Sequence, residues 1–256
     1  ADLQVALGQG EFEVYYQPIV RLADRRIVSV EALLRWHHPT RGLITPSKFV
    51  PLAEQTGLVT SIGAWALQQA CHQVARWQRL YPGSAPQRVS VNLSVMQLHD
   101  PRLVDIVTDA LAQSGLDPSA LTLEITESML LAKTRQTTNT LEALKGLQVK
   151  IAIDDFGTGY SALSYLRHFP VDVIKVDRSF VQELAVSSTS RSLVAAVVDL
   201  ARRLDIDTVA EGIEDEAQFA ELLEMGCIGG QGYLFSIPLP GRRAEALFAP
   251  TRGAVR

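Results

Sequence analysis

Eight short runs rich in β-branched and aromatic residues recur along this chain, and the lengths between them limit what it can fold into. They are Glu13–Val20, Ile27–Leu34, Arg88–Leu93, Leu121–Thr126, Val149–Asp154, Val171–Asp177, Ile206–Glu211 and a weaker one at Cys227–Gln231. Between them lie Pro46–Thr56, Thr60–Tyr81, Pro101–Ser114, Lys133–Leu147, Ser188–Leu204 and Glu214–Glu224, whose apolar residues recur every three or four positions. That is the period of amphipathic helices, and Gly57, Gly115, Gly146 and Gly226 sit at or just past their ends. From the third run onward the strands are apolar on both faces, as in Val-Ser-Val-Asn and Ile-Ala-Ile-Asp, which suits a parallel sheet covered by helices. Eight such units in 256 residues is the count of a (β/α)8, or TIM, barrel. One junction departs from the rule. Only Arg21–Arg26 separates the first two runs, whereas a parallel neighbour needs a crossover of about a dozen residues or more. The first pair is therefore expected to be an antiparallel hairpin, and the α/β barrel a modified one. Residues 1–256 read as a single domain, with a short helix in Gly241–Arg256 and a frayed tail from about residue 250. The chain opens on Ala1 and not on Met, which suggests excision from a larger multidomain protein.

Composition removes several classes of function. The formal charge is −4, with 24 Lys and Arg against 28 Asp and Glu, so no clustered basic excess is present to hold a DNA or RNA polymer. The longest apolar runs are about six residues, as in Leu193–Val198, where a bilayer span needs roughly 20. No basic start followed by an apolar stretch marks export, and the two cysteines, Cys71 and Cys227, lie far apart. A reduced, cytoplasmic setting is expected, although segments outside this sequence could tether a parent protein to a membrane.

The informative residues are polar groups stranded at the carboxyl ends of apolar strands. They are Glu31, Asn92, Glu124, Asp154 with Asp155, Lys175 with Asp177, Glu211 and Gln231. From Asn92 onward they follow one another at one strand-plus-helix unit each, so they should gather at one mouth of the barrel, where such folds carry out their chemistry. A single Asp at a strand end is ordinarily a helix cap or a turn residue. Six successive strands ending in carboxylate, carboxamide or ammonium do not fit that explanation. Converging carboxylates repel unless a counter-charge is supplied. All-oxygen donors select a hard cation, Mg²⁺ or Mn²⁺, and the absence of His and Cys among them argues against zinc. Two such ions bridged by one carboxylate form an arrangement used for phosphodiester hydrolysis, and Asp154-Asp155 suits it.

At Glu31-Ala32-Leu33-Leu34-Arg35-Trp36 the chain resembles the EAL-domain cyclic di-GMP phosphodiesterases. The resemblance runs from Tyr16-Gln17-Pro18-Ile19-Val20 to Gln231-Gly232-Tyr233-Leu234-Phe235. In order between them stand Asn92-Leu93-Ser94, Glu124-Ile125-Thr126-Glu127, Asp154-Asp155-Phe156-Gly157-Thr158-Gly159-Tyr160-Ser161, Ile174-Lys175-Val176-Asp177 and Ala210-Glu211-Gly212-Ile213-Glu214. It implies hydrolysis of cyclic di-GMP to linear pGpG in bacterial second-messenger signalling, on a modified TIM (β/α)8 barrel with an antiparallel first strand. It also implies two Mg²⁺ or Mn²⁺ ions per site, one on Glu31, Asn92, Glu124 and Asp154, the other on Asp154 and Asp155. Lys175 and Glu211 match the residues that handle the attacking water and the developing charge. Gln17, Leu33, Arg35, Arg178, Glu214 and Tyr233 fall at or beside substrate-holding positions. The loop Phe156, Gly157, Thr158 and Gly159, fixed with the help of Glu127, lies near a homodimer contact in that family, and regulatory domains upstream are a further expectation. The departures are Ile213 for Val, Val176 for Ile, and Ile228 and Ile237 for polar residues; none removes a metal or catalytic position.

Several residues admit plainer readings. Lys175 could simply pair with Asp177, and Arg35 could be a solvated surface charge, although its guanidinium is shaped to fork onto a phosphate. Glu211 reads either as a direct general base or as a group acting through a water. His37 and His38 read as surface or loop residues, His72, His99 and His168 as isolated, Trp65 and Trp77 as core anchors, and both cysteines as buried apolar groups. Two rivals to the phosphodiesterase remain. One is a catalytically silent cyclic di-GMP receptor, against which stand the retained metal and catalytic positions; the other is a barrel hydrolase for another phosphodiester.

Overall fold

The computed structural model describes residues 2–130, 134–157 and 169–249. Its strands are β1 (Phe12–Arg21), β2 (Ile27–His38), β3 (Gly42–Ile44), β4 (Arg88–Asn92), β5 (Leu121–Thr126), β6 (Lys150–Phe156), β7 (Val173–Val176), β8 (Asp207–Ala210), β9 (Gly229–Gly230) and β10 (Leu239–Pro240). Eight of these close on themselves in the order β1-β2-β4-β5-β6-β7-β8-β9 and back to β1, with β3 and β10 as flanking additions. Every neighbouring pair from β2 round to β9 is parallel; β1 is antiparallel to both β2 and β9. The short junction thus has the expected consequence: β1 runs against the rest of the barrel. Gln17 pairs with Glu31 and Phe12 with Trp36.

The helices are α1 (Asp2–Ala6), α2 (Pro46–Gln55), α3 (Val59–Leu80), α4 (Val95–Leu98), α5 (Leu103–Ser114), α6 (Arg135–Gly146), α7 (Arg178–Gln182), α8 (Ser188–Arg203), α9 (Glu216–Glu224) and α10 (Gly241–Glu245). Their apolar stripes cover the sheet. Val74, Ala70, Cys71 and Trp77 of α3 pack with Val89, Leu121 and Ile151 of the strands in one continuous buried cluster. Starts follow local capping chemistry. Ser94 and Asp215 form capping boxes with Gln97 and Gln218, and for that reason the last long helix begins at Glu216 and not at Glu214. β2 runs on to His38 because β3 folds back on it, with Trp36 opposite Ile44. Among the described residues no helix is long and apolar enough to cross a membrane.

One side-chain expectation changes. His38 is buried, and its Nδ1 accepts from the backbone N–H of Thr40 and Arg41 at 3.2 and 3.3 Å, so it braces the β2–β3 turn from inside. Its neighbour His37 is exposed and pairs with Glu13 at 2.8 Å. Trp77 and both cysteines are buried and Trp65 packs at the core's edge, as expected, while His168 lies outside the described residues.

Candidate active site at the carboxyl mouth

In a parallel strand the residues at i and i+2 face the same side, so the last inward position of each strand reaches the barrel axis at one level. Glu31 of β2, Asn92 of β4, Glu124 of β5, Asp154 of β6 and Lys175 of β7 occupy that level, with Glu211 just past β8 and Gln231 just past β9. Lys175 is the hub. Its Nζ lies 2.6 Å from Glu211 Oε1, 2.7 Å from Glu124 Oε2, 3.4 Å from Asp154 Oδ1 and 3.5 Å from Glu31 Oε2. The lysine and Glu124 are each 1% exposed, so these charges interact with little water between them. The pairing of Lys175 with Asp177 weighed from the sequence does not form. β7 stops at Val176, and Asp177 instead caps α7, accepting from the N–H of Ser179 at 3.0 Å.

Carboxamides fix Glu31 from both sides. Asn92 Nδ2 donates to its Oε1 and Gln231 Nε2 to its Oε2, each at 2.7 Å. With its amino group so used, Asn92 leaves Oδ1 as its ligand atom. Gln231 Nε2 also reaches Gln17 Oε1 at 2.9 Å, and Gln17 Nε2 donates to the Ser236 carbonyl at 3.1 Å. Gln231 received no role in the sequence reading beyond its place at a strand end, and here it is the second clamp on Glu31. The following Gly232 is required by packing, since a Cβ there would lie 2.0 Å from the Ile213 carbonyl oxygen.

Asp154 and Asp155 raise a stereochemical problem, because adjacent strand residues face opposite sides. The chain solves it with a kink: Asp155 has φ +54°, and the register of β6 against β7 shifts between Ile153 and Phe156. Left-handed backbone at a residue other than Gly costs of order 1–2 kcal/mol, and it brings both carboxyls to one place. Ligand oxygens of Asp154, Asp155 and Glu211 all lie within 4.8 Å of one another.

Electrostatics follow from five carboxylates sharing one ammonium. Burial opposes the charge on Lys175, but Glu124, Glu211, Glu31 and Asp154 outweigh it and hold its pKa well above the ordinary value. Burial also pushes Glu211 up to about 7 against the pull of Lys175, and raises Asp155, with Asp154 and Asp177 adding repulsion. For Glu31 burial is outweighed by Lys175, Gln231 and Asn92, which keep it below the usual range. Asp154 Oδ1 is buried and, among the described residues, accepts no hydrogen bond and has only the ammonium at 3.4 Å. An all-oxygen donor set with surplus negative charge and a carboxylate oxygen lacking a donor suits a hard divalent cation.

Arg35 is half-buried, which lowers its pKa; it donates to the Leu34 carbonyl at 2.8 Å and lies 5.5 Å over the Tyr15 ring. Leu33 is half-buried beside it, while Arg178, Glu214 and Tyr233 are exposed. Gln17 differs, since both ends of its amide already bond within the protein. Glu127 is buried and its Oε2 accepts from the N–H of Gly157 at 3.1 Å, fixing the end of β6 beside Phe156. Thr158 and Gly159 lie outside the described residues.

Comparison with known proteins agrees with this geometry. The family model for the EAL domain matches residues 1–238. The chain is 46% identical over 248 residues to the bifunctional diguanylate cyclase/cyclic di-GMP phosphodiesterase MucR of Pseudomonas aeruginosa, covering 97% of this chain and 36% of MucR. It is 43% identical over 239 residues to the cyclic di-GMP phosphodiesterase NbdA of the same organism, covering 93% and 30%. The chain thus spans about a third of the length of these relatives. Among solved structures, PaMucR phosphodiesterase in complex with c-di-GMP superposes with a TM-score of 0.90 at 44% identity, covering 95% of this chain and 98% of that one. The FimX EAL domain from Pseudomonas aeruginosa bound to c-di-GMP gives 0.83 at 26% identity, covering 93% and 94%. This chain therefore belongs to the EAL domain family.

Proposed function

We propose that this domain hydrolyses cyclic di-GMP to linear pGpG in a metal-dependent reaction. The ring of carboxylates around buried Lys175 at the carboxyl mouth carries that reading, in a chain 43–46% identical to relatives named for this activity. Two Mg²⁺ or Mn²⁺ ions, one on Glu31, Asn92, Glu124 and Asp154 and the other on Asp154 and Asp155, would supply an acidified water and neutralise phosphoryl charge. Glu211, with its proton affinity raised to about pH 7, is matched to accept the proton of the attacking water, directly or through a second water. The water oxygen bonds to phosphorus, the ester P–O bond breaks, and the ribose oxygen leaves with the proton that Glu211 took from the water. Lys175 holds Glu211 in place at 2.6 Å and offsets negative charge growing on the phosphoryl oxygens. Arg35 forks onto a phosphate, and Gln17, Leu33, Arg178, Glu214 and Tyr233 line the substrate.

Residues 1–256 then act as one catalytic module of a cytoplasmic signalling protein, a homodimer whose contact includes the segment from Phe156 to Gly159, governed by domains upstream. The greater length of the relatives supports the last point. The test is incubation with cyclic di-GMP and Mg²⁺, followed by chromatography for pGpG, repeated with EDTA and with Ca²⁺. Turnover should stop in EDTA and be poor with Ca²⁺, which prefers longer bonds and looser coordination. Undiminished activity without metal would refute the two-ion account, and tight binding without pGpG would favour a receptor.

A further inference from the structure

β2 is longer than the barrel requires. Its parallel partner β4 pairs only with residues 29–32, so from Leu33 to His38 its neighbours are β1 and, at the tip, β3. The paired ends of β1 and β2 therefore stand as a wall above the catalytic mouth. Side chains alternate across this wall. Val14, Tyr16 and Trp36 are buried on the face turned to the helices, whereas Glu13, Tyr15, Leu33, Arg35 and His37 share the other face with Gln17 and Glu31.

On that second face an ion pair is conspicuously unmade. Glu13 and Arg35 are register partners, and opposite charges set directly across two antiparallel strands ordinarily come into contact. A guanidinium fork is also shaped to take a carboxylate at two points. Yet Arg35 makes no ion pair among the described residues; it donates to the Leu34 carbonyl at 2.8 Å, and its Cζ lies 5.5 Å over the Tyr15 ring. The carboxylate has turned the other way. Glu13 Oε2 accepts from His37 Nε2 at 2.8 Å, and the His37 ring stands 6.2 Å from that of Tyr15. The strand thus supplies its arginine with an aromatic support and supplies the facing acid with a different partner.

We propose that Tyr15 and His37 are positioning residues that keep the Arg35 guanidinium free for a phosphate of the substrate. Tyr15 holds the cation on its ring face, and His37 draws off the carboxylate that stands opposite it in the sheet. An arginine already paired with Glu13 would have to give up that pair before it could fork onto a phosphate, and binding would be weaker by that amount. The identity of the phosphate rests on the cyclic di-GMP reading above; the arrangement of the four side chains rests on the register of β1 against β2.

The first readout is the Arg35 Nε–H signal in NMR of the whole chain without ligand, assigned by its loss in Arg35→Lys. Tyr15→Leu should move it and Tyr15→Phe should not. His37→Leu should also move it, and adding Glu13→Gln should bring it back. The second readout is cyclic di-GMP affinity by calorimetry in Ca²⁺, beside kcat and KM in Mg²⁺. Tyr15→Leu and His37→Leu should each weaken binding about two- to fivefold, equivalent to about 0.4–1 kcal/mol, and raise KM with kcat unchanged. Glu13→Gln should restore affinity to His37→Leu and not to Tyr15→Leu. An Arg35 signal indifferent to His37→Leu, a His37→Leu defect that persists with Glu13→Gln, or a Tyr15→Phe variant as weak as Tyr15→Leu would each overturn the proposal. A wild-type chain that neither binds nor hydrolyses cyclic di-GMP would refute the function proposed above, and the signal of the unliganded chain would still decide whether Tyr15 and His37 hold Arg35.

Discussion

Replacing Glu211 by glutamine should make the metal-free protein less sensitive to alkali, by an amount the site's electrostatics set. Burial lifts the Glu211 carboxyl from 4.5 to about 7 in the folded chain, while unfolding returns it to the ordinary value. Between those values the native state holds a proton that the unfolded state has released, so stability falls as pH rises through the window and is flat above it. Each tenfold difference in proton affinity is worth about 1.4 kcal/mol, so between pH 5 and 8 this group removes about 2–3 kcal/mol. The side chain is only 20% exposed, which keeps solvent screening small. At about 2–4 °C per kcal/mol for a domain of this size, the wild-type melting temperature should drop by roughly 5–10 °C more than that of Glu211→Gln across that range. The assay is scanning calorimetry of both proteins in EDTA at pH 5, 6, 7 and 8. Loss of a Lys175 partner shifts the glutamine variant by a constant at every pH, so the difference between the slopes carries the answer. A difference that does not change with pH, or one in which the variant loses ground as pH rises, would refute the assignment of a raised proton affinity to Glu211. Saturating Mg²⁺ should flatten the wild-type slope, because the cation selects the ionised carboxylate.

Glu31→Ala should abolish pGpG production while leaving the protein folded, since lost repulsion offsets the roughly 1–3 kcal/mol of leaving one N–H each of Asn92 and Gln231 without its acceptor; a collapse of the melting temperature without metal would mean that Glu31 is chiefly structural. Lys175→Met should lower kcat by about 10²–10⁴-fold and destabilise the metal-free protein by about 3–5 kcal/mol at neutral pH, because it strips the cation from buried carboxylates; urea titration at an unchanged midpoint would contradict this. Asp155→Asn should keep its stability, since Asn tolerates the left-handed backbone, and lose turnover, whereas Asp155→Val should lose about 1–2 kcal/mol as well; equal stability of the two variants would remove the case for strain at this position.

The level of the site was readable because Asn92, Glu124, Asp154 and Lys175 stand at or within two residues of the carboxyl ends of their strands, and Glu31 joins them from within β2, which runs on to His38. The direction of β1 was readable too, since six residues cannot carry a chain back along a barrel. What stayed hidden depends on contacts between distant segments. Nothing local says that Asp155 adopts a left-handed turn, and alternation along a strand predicts that it points away from Asp154. The nearest acid to Lys175 in the sequence is Asp177, yet the start of a helix claims it, and the partners come from three other strands and the end of a fourth. Likewise the clamp that Gln231 makes on Glu31 joins the last strand of the barrel to the second, across 200 residues. Such partners are set by closure of the sheet, which the spacing of motifs implies but does not detail.

The reversed course of β1 also decides which face of the barrel hears from the rest of a longer polypeptide. In an all-parallel barrel the chain enters at the floor, remote from the substrate. Here Phe12 opens β1 opposite Trp36, above the level where Gln17 meets Glu31, and α1 packs there under Trp36 and Phe49. Any segment joined ahead of α1 is thereby delivered to the rim of the catalytic mouth. A push or twist transmitted along it would act on β1 and, through the Gln17–Gln231–Glu31 hydrogen bonds, on a proposed metal ligand two contacts away.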